Sequence, residues 1–126
     1  MKSFYEPTRE HLSRICGDWS ASFSGGKDSS AAVSVIEYWR CSGWIDAPRP
    51  KLVNSDTGVE DALLTDIAGR FMDVMTARGW ECAIVKPLIR ERLYNRILGI
   101  GNTPVHPGGR NMRWCTRSTK IDPMNR

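Results

Sequence analysis

Residues 19–29 read Trp19-Ser20-Ala21-Ser22-Phe23-Ser24-Gly25-Gly26-Lys27-Asp28-Ser29, and this segment carries the clearest indication of the fold class. Apolar residues at 19, 21 and 23 alternate with serines, which is typical of a short β-strand. The two glycines predict a tight turn, and the apolar spacing that follows predicts a helix from about Ser29 to Ser42. A strand that passes through a glycine turn into a helix is the opening unit of an α/β fold with a parallel sheet.

The rest of the chain continues the alternation of strand and helix. Residues 51–55 and 81–85 predict two more strands, and helices are predicted over 4–16, 60–78 and 88–98. Glycines and prolines make 99–112 a loop. We expect one domain over 1–126, with an α/β core at 17–98 and a substrate loop and basic cysteine-containing segment at 99–126. The predicted buried faces of the two long helices are Ala32, Val35, Ile36 and Trp39, and Leu64, Ile67, Ala68, Phe71 and Met75.

The composition fits a globular domain outside the membrane. Of the 126 residues, 40% are hydrophobic and 25% are charged. No apolar run approaches the roughly 18 residues that a membrane span requires. We expect a cytoplasmic protein, because the N-terminus lacks the apolar stretch of a signal peptide. The net charge of +4 is compatible with an anionic partner, and residues 110–126 hold five basic side chains against one acid.

The cysteines do not have the close spacing of a zinc or redox motif. Cys16, Cys41 and Cys82 fall in predicted core elements, so we expect buried thiols. Disulfides are not expected without a secretion signal. An iron–sulfur cluster bound by this chain alone is not expected, since it would need all four cysteines, three of them in core elements.

Residues 24–29, called the glycine loop below, have the composition of a phosphate-binding turn. Two glycines allow close approach of the backbone, and the following helix N-terminus adds N–H groups and partial positive charge. Lys27 adds a full charge. A plain glycine turn capped by Asp28 or Ser29 has the same composition. The Walker pattern is excluded, because Gly26-Lys27 is followed by Asp28 and the position five before Gly26 is Ala21.

Three segments resemble the phosphoadenosine phosphosulfate (PAPS) reductase-like family of the adenine nucleotide alpha-hydrolase superfamily. The glycine loop, Ser24-Gly25-Gly26-Lys27-Asp28-Ser29, resembles the superfamily's pyrophosphate loop. Asn54-Ser55-Asp56-Thr57-Gly58-Val59-Glu60 resembles the Asp-Thr-Gly segment after its second strand. Arg113-Trp114-Cys115-Thr116-Arg117-Ser118-Thr119-Lys120-Ile121-Asp122-Pro123 resembles its Cys-Thr-x-x-x-Lys-x-x-Pro segment. The pattern is most similar to the ATP pyrophosphatases of DNA phosphorothioation systems.

The resemblance implies a three-layer, Rossmann-like α/β fold and an enzyme of sulfur transfer that splits ATP between its α and β phosphates. The implied nucleotide contacts are the whole glycine loop with Asp56 and Thr57. The implied catalytic residues are Lys27, Asp28 and Cys115; Asp28 and Asp56 would contact Mg²⁺, and Arg113 and Lys120 would hold the substrate. An adenine nucleotide is the expected ligand. DNA, a sulfur-carrier protein, a second copy of the chain and another partner chain are open as further partners.

Alternatives to this function, and to the roles of several of these residues, stay open. A reductase of PAPS or adenosine phosphosulfate is one, although the family's C-terminal Glu-Cys-Gly-x-His segment is missing and a partner would have to complete the site. A C-terminally truncated, non-catalytic nucleotide-binding module is another.

Cys115 fits a sulfur carrier, an iron–sulfur ligand or a buried thiol. Asp28 fits a helix cap and Asp56 a turn residue, while Arg113 and Lys120 fit a solvated basic face or a DNA-backbone contact.

Overall fold

The computed structural model describes residues 19–46, 48–102 and 114–125. Strands and helices alternate as β1 (Ser20–Phe23), α1 (Lys27–Cys41), β2 (Lys51–Ser55), α2 (Ala62–Ala77) and β3 (Glu81–Val85). A 3-10 helix (Ile89–Glu91) and a π-helix (Asn95–Gly99) follow. The C-terminal helical segment contains α3 (Trp114–Thr116), a π-helical turn (Arg117–Ile121) and α4 (Asp122–Met124). The predicted helix over 4–16 and most of the loop predicted at 99–112 lie outside the described residues.

The strands form a parallel sheet in the order β1-β2-β3, so the α/β prediction is confirmed. Ala21 lies opposite Leu52, and Leu52 lies opposite Cys82. Because successive side chains in a strand point to opposite faces, Phe23 shares one face with these residues, whereas Ser22 and Ser55 belong to the other.

Both long helices pack on the sheet face that carries Phe23 and Leu52. The main buried cluster joins these two residues to side chains from α1, α2 and the start of β3: Val33, Ala68, Met72, Met75 and Trp80. Two β-α-β connections of the same handedness that step across a sheet in the same direction place their helices on the same face of the sheet. The strand order β1-β2-β3 meets this condition, and α1 and α2 pack on one face.

The C-terminal helical segment lies against the opposite face. The Ser55 hydroxyl donates to the Thr119 carbonyl at 2.7 Å, and the Ser22 hydroxyl lies 3.6 Å from the Met124 sulfur. The sheet therefore has helical structure on both faces, an arrangement compatible with a Rossmann-like fold. None of the helices in the described ranges is long and apolar enough to cross a membrane.

The predicted buried face of α2 is correct only in part. Ala68 and Met75 are buried, but Leu64 and Ile67 are 49% and 45% exposed. The helix has apolar residues on more than one side, including Val74 on its exposed side. Periodicity alone therefore does not identify the side that meets the sheet.

The predicted buried face of α1 is wrong at one position, Ala32. Trp39 is buried as expected, but Val33 meets the core and Ala32 is exposed. Glu37 is also buried on this side of the helix, at 3% exposure. A buried, ion-paired glutamate carries no apolar signal, so the pattern of hydrophobic residues does not reveal it.

Two other predictions are wrong. Residues 88–98 do not form a single α-helix, because Arg92 has extended backbone angles and separates the 3-10 helix from the π-helix. Cys41 is exposed, because it is the last residue of α1 and lies beside the buried Glu37 rather than within the apolar cluster. Cys82 and Cys115 are half-buried.

Candidate functional site

Polar segments follow all three strands at the carboxyl edge of the sheet. β1 leads into the glycine loop, β2 into Asp56-Thr57-Gly58 and β3 into Lys86. The register places Phe23 beside Asn54, and Asn54 beside Ile84, close to these ends. Parallel α/β sheets bind ligands at this edge, because the loops gather there and the helix N-termini point toward it.

The glycine loop is seated on α2 through Gly25. This residue has a φ of +78°, a conformation that side chains rarely adopt. A Cβ added to it would lie 3.0 Å from the Cβ of Ala68 and 3.6 Å from the carbonyl oxygen of Leu64. Gly26 is less constrained, since an added Cβ would meet only the Ser24 hydroxyl, at 3.5 Å. Position 25 therefore favours glycine for two reasons: the backbone has a positive φ, and a side chain would collide with Ala68.

Serine hydroxyls hold the loop in place. The Ser24 and Ser29 hydroxyl oxygens are 3.0 Å apart. The hydroxyls of Ser29 and Ser30 both donate to the carbonyl of Gly26, at 3.0 and 2.9 Å. Hydrogen bonds within the loop therefore stabilise its conformation, and the Ser24 and Ser29 hydroxyls lie next to each other.

The N-terminus of α1 has no side-chain cap. Gly26 occupies the N-cap position and its helix begins at Lys27. The N–H groups of the first turn have no acceptor within the helix, and they carry the positive end of its dipole. Lys27 and Asp28 are exposed in this turn. Anion binding at these residues stays a prediction.

Asp56 is engaged by two protein groups. One carboxylate oxygen accepts the Gly58 N–H at 2.9 Å, and the other lies 3.0 Å from the Lys86 ammonium. The pKa of Asp56 is lowered mainly by its hydrogen bond to Lys86, although burial opposes the shift. Thr57 is buried, and its hydroxyl donates to the Glu60 carboxylate at 3.2 Å.

Asn54 and Ser55 tie the edge of the sheet to its neighbours. The Asn54 amide donates to the carbonyl of Phe23 at 2.9 Å and so fixes the end of β1 from which the glycine loop departs. Ser55 holds the C-terminal helical segment through Thr119. Both residues belong to the segment on which the resemblance rests, but sequence reasoning gave them no role. Their acceptors are distant backbone carbonyls, which leave no signal in the sequence.

The C-terminal helical segment brings Lys120 to the site. Ser118 and Thr119 are buried against the sheet, and the Thr119 hydroxyl donates to the Cys115 carbonyl at 2.7 Å. The Arg96 guanidinium lies 5.3 Å from the ring centre of Trp114. Arg113 lies outside the described residues.

Two clefts of about 240 Å³ each open at this edge. The first, called the α2 cleft, combines apolar walls with polar groups; its lining includes Leu64, Ala68, Met72 and Ile84 together with Asn54, Asp56 and Lys86. The second, called the serine cleft, has a mainly apolar surface that includes Phe23 and Met124, with the Lys120 ammonium and three serines, Ser22, Ser29 and Ser55, also in its lining. Ser24 and Glu60 border both.

The predicted site residues are therefore only partly brought together. Ser24, Ser29 and Lys120 meet at the serine cleft, and Asp56 lies at the α2 cleft. Lys27 and Asp28 line neither cleft, and Cys115 is not among the lining residues of either. Glu60 and Lys86 are additions from the structure; the glutamate stands at the end of the second resembling segment, which is the one sequence signal that points to it.

The carboxylates do not form a ready-made metal site. Among the described residues, no group of three acidic, histidine or cysteine side chains is placed to hold a metal ion. Both oxygens of Asp56 already have protein partners. Mg²⁺ commonly binds one or two carboxylates together with substrate phosphates, so Asp56 by itself is not a complete site for the ion.

Comparison of the chain with family models, curated proteins and solved structures gave no match.

Proposed function

We propose that the protein binds ATP and splits it between the α and β phosphates, as an enzyme of the PAPS reductase-like family that works in sulfur transfer. One observation carries the proposal. Segments that lie far apart in the sequence, the glycine loop, residues 54–60 and residues 114–123, meet around two clefts that share Ser24 and Glu60. DNA phosphorothioation is the setting to which the resemblance points.

The chemistry of the two clefts suits different parts of a nucleotide. The apolar walls of the α2 cleft suit a base and its ribose, with Asn54 and Glu60 available for hydrogen bonds. In the serine cleft the Lys120 ammonium is the group that suits an anionic oxygen, because the Ser29 and Ser55 hydroxyls already donate to backbone carbonyls and Glu60 adds a carboxylate. The glycine loop lies between them through Ser24, so a phosphate chain would pass over the uncapped N-terminus of α1.

In the proposed reaction, an acceptor oxygen attacks the α phosphorus of ATP. A new P–O bond forms, the bond to the bridging oxygen of the β phosphate breaks, and pyrophosphate leaves with the bonding electrons. Charge accumulates on the phosphoryl oxygens in such transfers, and catalysis consists mainly of positioning and neutralisation. The first-turn N–H groups, Lys27 and Lys120 are the chain's own donors for that purpose.

Mg²⁺ would enter with the triphosphate and neutralise part of its charge. Asp56 is the carboxylate at the α2 cleft that could contact the ion, once it separates from Lys86. Asp28 would have to reach the phosphates from the exposed first turn of α1. Cys115 has the role of sulfur carrier in this proposal, and Arg113 with Lys120 would hold the acceptor.

A second candidate is binding without turnover. It is favoured by Asp56, both of whose oxygens are held by the protein. The same clefts would then hold an adenine nucleotide for recognition only.

Incubation of the chain with ATP labelled in the α phosphate and with Mg²⁺ tests the proposal. We expect labelled AMP, free or attached to an acceptor, and pyrophosphate. Lys27→Ala should remove most of this activity, whereas Arg49→Ala, at an exposed position outside both clefts, should not. Release of ADP and phosphate would contradict the proposed reaction, and tight ATP binding without any product would favour the second candidate.

A further inference from the structure

The uncharged side-chain donors that line the α2 cleft are already engaged by the protein. In the described part of the chain these donors are Ser24, Asn54 and Thr65. The Asn54 amide and the Thr65 hydroxyl donate to backbone carbonyls at 2.9 and 3.1 Å. The Ser24 hydroxyl lies 3.0 Å from that of Ser29, whose own proton goes to the Gly26 carbonyl, so Ser24 is the donor of this pair. A ligand in the cleft therefore meets neutral donors that are in use.

The amide oxygen of Asn54 is an acceptor that the protein leaves unused. Only the NH₂ end of this side chain can donate to the Phe23 carbonyl, so the oxygen is the other end. It has no donor partner within 19–46, 48–102 and 114–125, and the one side-chain atom there that is both buried and unpartnered is the Nε of Arg96. The Asn54 oxygen is therefore accessible, and because Asn54 lines the α2 cleft it is available to a donor on a bound ligand.

Asn54 lies beside the apolar walls of the cleft. The register sets it opposite Ile84, and strand alternation puts both side chains on the sheet face that α2 covers. Ile84 and Leu64 are 55% and 49% exposed, so the apolar surface of the cleft is free to meet a ring. Lys86 lies two residues beyond Ile84, roughly 6–7 Å further along the strand direction, and is paired with Asp56 at 3.0 Å. A flat base between these walls would therefore present its edge to Asn54 rather than to the ammonium.

We propose that Asn54 determines which base the α2 cleft accepts, because its amide oxygen takes a hydrogen bond from the exocyclic amino group of adenine. A base with a keto oxygen at that position would set two acceptors against each other and leave the Asn54 oxygen without a donor. The inference rests on the proposed function, since it takes the base of the nucleotide to lie between the apolar walls of the α2 cleft.

Three nucleotides that differ at position 6 of the purine test this selection without any change to the protein. ATP carries an amino group there, purine riboside triphosphate a hydrogen atom and inosine triphosphate a keto oxygen. In calorimetric titrations of the full chain, we expect inosine triphosphate to bind at least about tenfold more weakly than ATP. Purine riboside triphosphate loses the donor without adding an acceptor, so its affinity should fall between the other two.

Asn54→Leu removes the acceptor and keeps a side chain of similar size. The variant also loses the bond to the Phe23 carbonyl, which affects all three nucleotides alike. The ratio of the affinities for ATP and inosine triphosphate is therefore the measure, and it should approach unity. Asn95→Leu is the matched control, because the Asn95 amide also donates to a backbone carbonyl, that of Ile89, but lines neither cleft. This variant should keep the wild-type ratio.

Circular dichroism shows whether each variant is folded, and the titrations of the wild type decide the question even where Asn54→Leu is not. Equal wild-type affinities for ATP and inosine triphosphate overturn the selection by Asn54 and leave the proposed function in place. A folded Asn54→Leu chain that keeps the wild-type ratio overturns it as well, and so does an equal loss of the ratio in Asn95→Leu. Failure of the proposed function gives a different result, because then none of the three nucleotides binds.

Discussion

The indole N–H of Trp80 donates a 2.8 Å hydrogen bond to the carboxylate of Glu37, 43 positions earlier in the chain. Arg40 donates two more hydrogen bonds to the same carboxylate, at 2.7 and 3.0 Å, and a third to the carbonyl of Arg78. Glu37 is 3% exposed. This buried charge joins the end of α1 to the turn that leads from α2 into β3.

Removal of the Glu37 carboxylate should destabilise the fold strongly. Glu37→Ala leaves the Trp80 N–H and the Arg40 guanidinium without their buried acceptor, and we expect a loss of about 3 kcal/mol in the free energy of unfolding. Urea denaturation at neutral pH measures it. Asp66→Ala breaks the exposed pair with Arg70 and should cost less than about 0.5 kcal/mol. Equal losses in the two variants would show that the Glu37 network contributes no more than a surface pair.

Glu37 should also make stability depend on pH in the acid range. The Arg40 hydrogen bonds, against the opposing effect of burial, lower the pKa of Glu37 from 4.5 to about 2. The folded chain thus holds this proton less tightly than the unfolded chain. The contribution of Glu37 to stability is complete above pH 4.5 and is lost as the pH falls toward about 2.

Denaturation of wild type and Glu37→Gln at several pH values between these limits tests the dependence. The stability advantage of the wild type should shrink steadily as the pH falls. In Arg40→Met, burial is no longer opposed by this guanidinium and the pKa of Glu37 should rise, so the acid-dependent loss should weaken or reverse. A constant difference between wild type and Glu37→Gln would contradict the assignment.

Gly25→Ala should damage the glycine loop more than an equivalent change elsewhere. The new Cβ meets Ala68 at 3.0 Å in a backbone conformation with φ of +78°. Gly43 has a φ of +70° but open space around it. Both alanine variants should therefore lose about 1 kcal/mol from backbone strain. Only Gly25→Ala should also displace the loop and weaken ATP binding, by at least about tenfold on the scale of 1.4 kcal/mol per decade. Calorimetric titration of both variants with ATP checks this, and equal affinities would show that the contact with α2 does not position the loop.

Ser55→Ala should loosen the C-terminal helical segment. The variant leaves the buried Thr119 carbonyl without its 2.7 Å hydrogen bond, at a cost of about 1–3 kcal/mol. Because the loss is local, trypsin should cleave after Lys120 faster than in the wild type. Ser34→Ala is the control, since its hydroxyl bonds only within α1, to the Ser30 carbonyl. Unchanged cleavage in Ser55→Ala would mean that other contacts hold the segment.

The strands were predictable because short apolar runs bounded by glycine, proline and polar residues leave few alternatives. β2 and β3 span the residues expected from the sequence, and α2 begins and ends within two residues of its prediction. Helix orientation was harder. α2 is apolar at Ile67 as well as at Ala68, and only the geometry of the sheet decides which of them is buried.

The carboxyl edge of the sheet was predictable as the place of the candidate site, since the alternation of strands and helices implies parallel strands whose carboxyl ends share one edge. The hydrogen-bond and ion-pair partners of the residues at this edge were not predictable from the sequence. The bonds from Asn54 to Phe23 and from Ser55 to Thr119 reach across 31 and 64 positions to main-chain atoms. The ion pair between Asp56 and Lys86 depends on β2 and β3 being neighbours, a pairing that the sequence leaves undetermined.

Ser24 and Glu60 form a common wall between the α2 cleft and the serine cleft. The contents of the two compartments are consequently not independent. A molecule that pushes the shared hydroxyl or carboxylate aside in one compartment alters the shape and polarity offered to whatever enters the other. If two separate molecules bind there, the affinity of each will depend on whether the other is bound, and by the same factor in both directions.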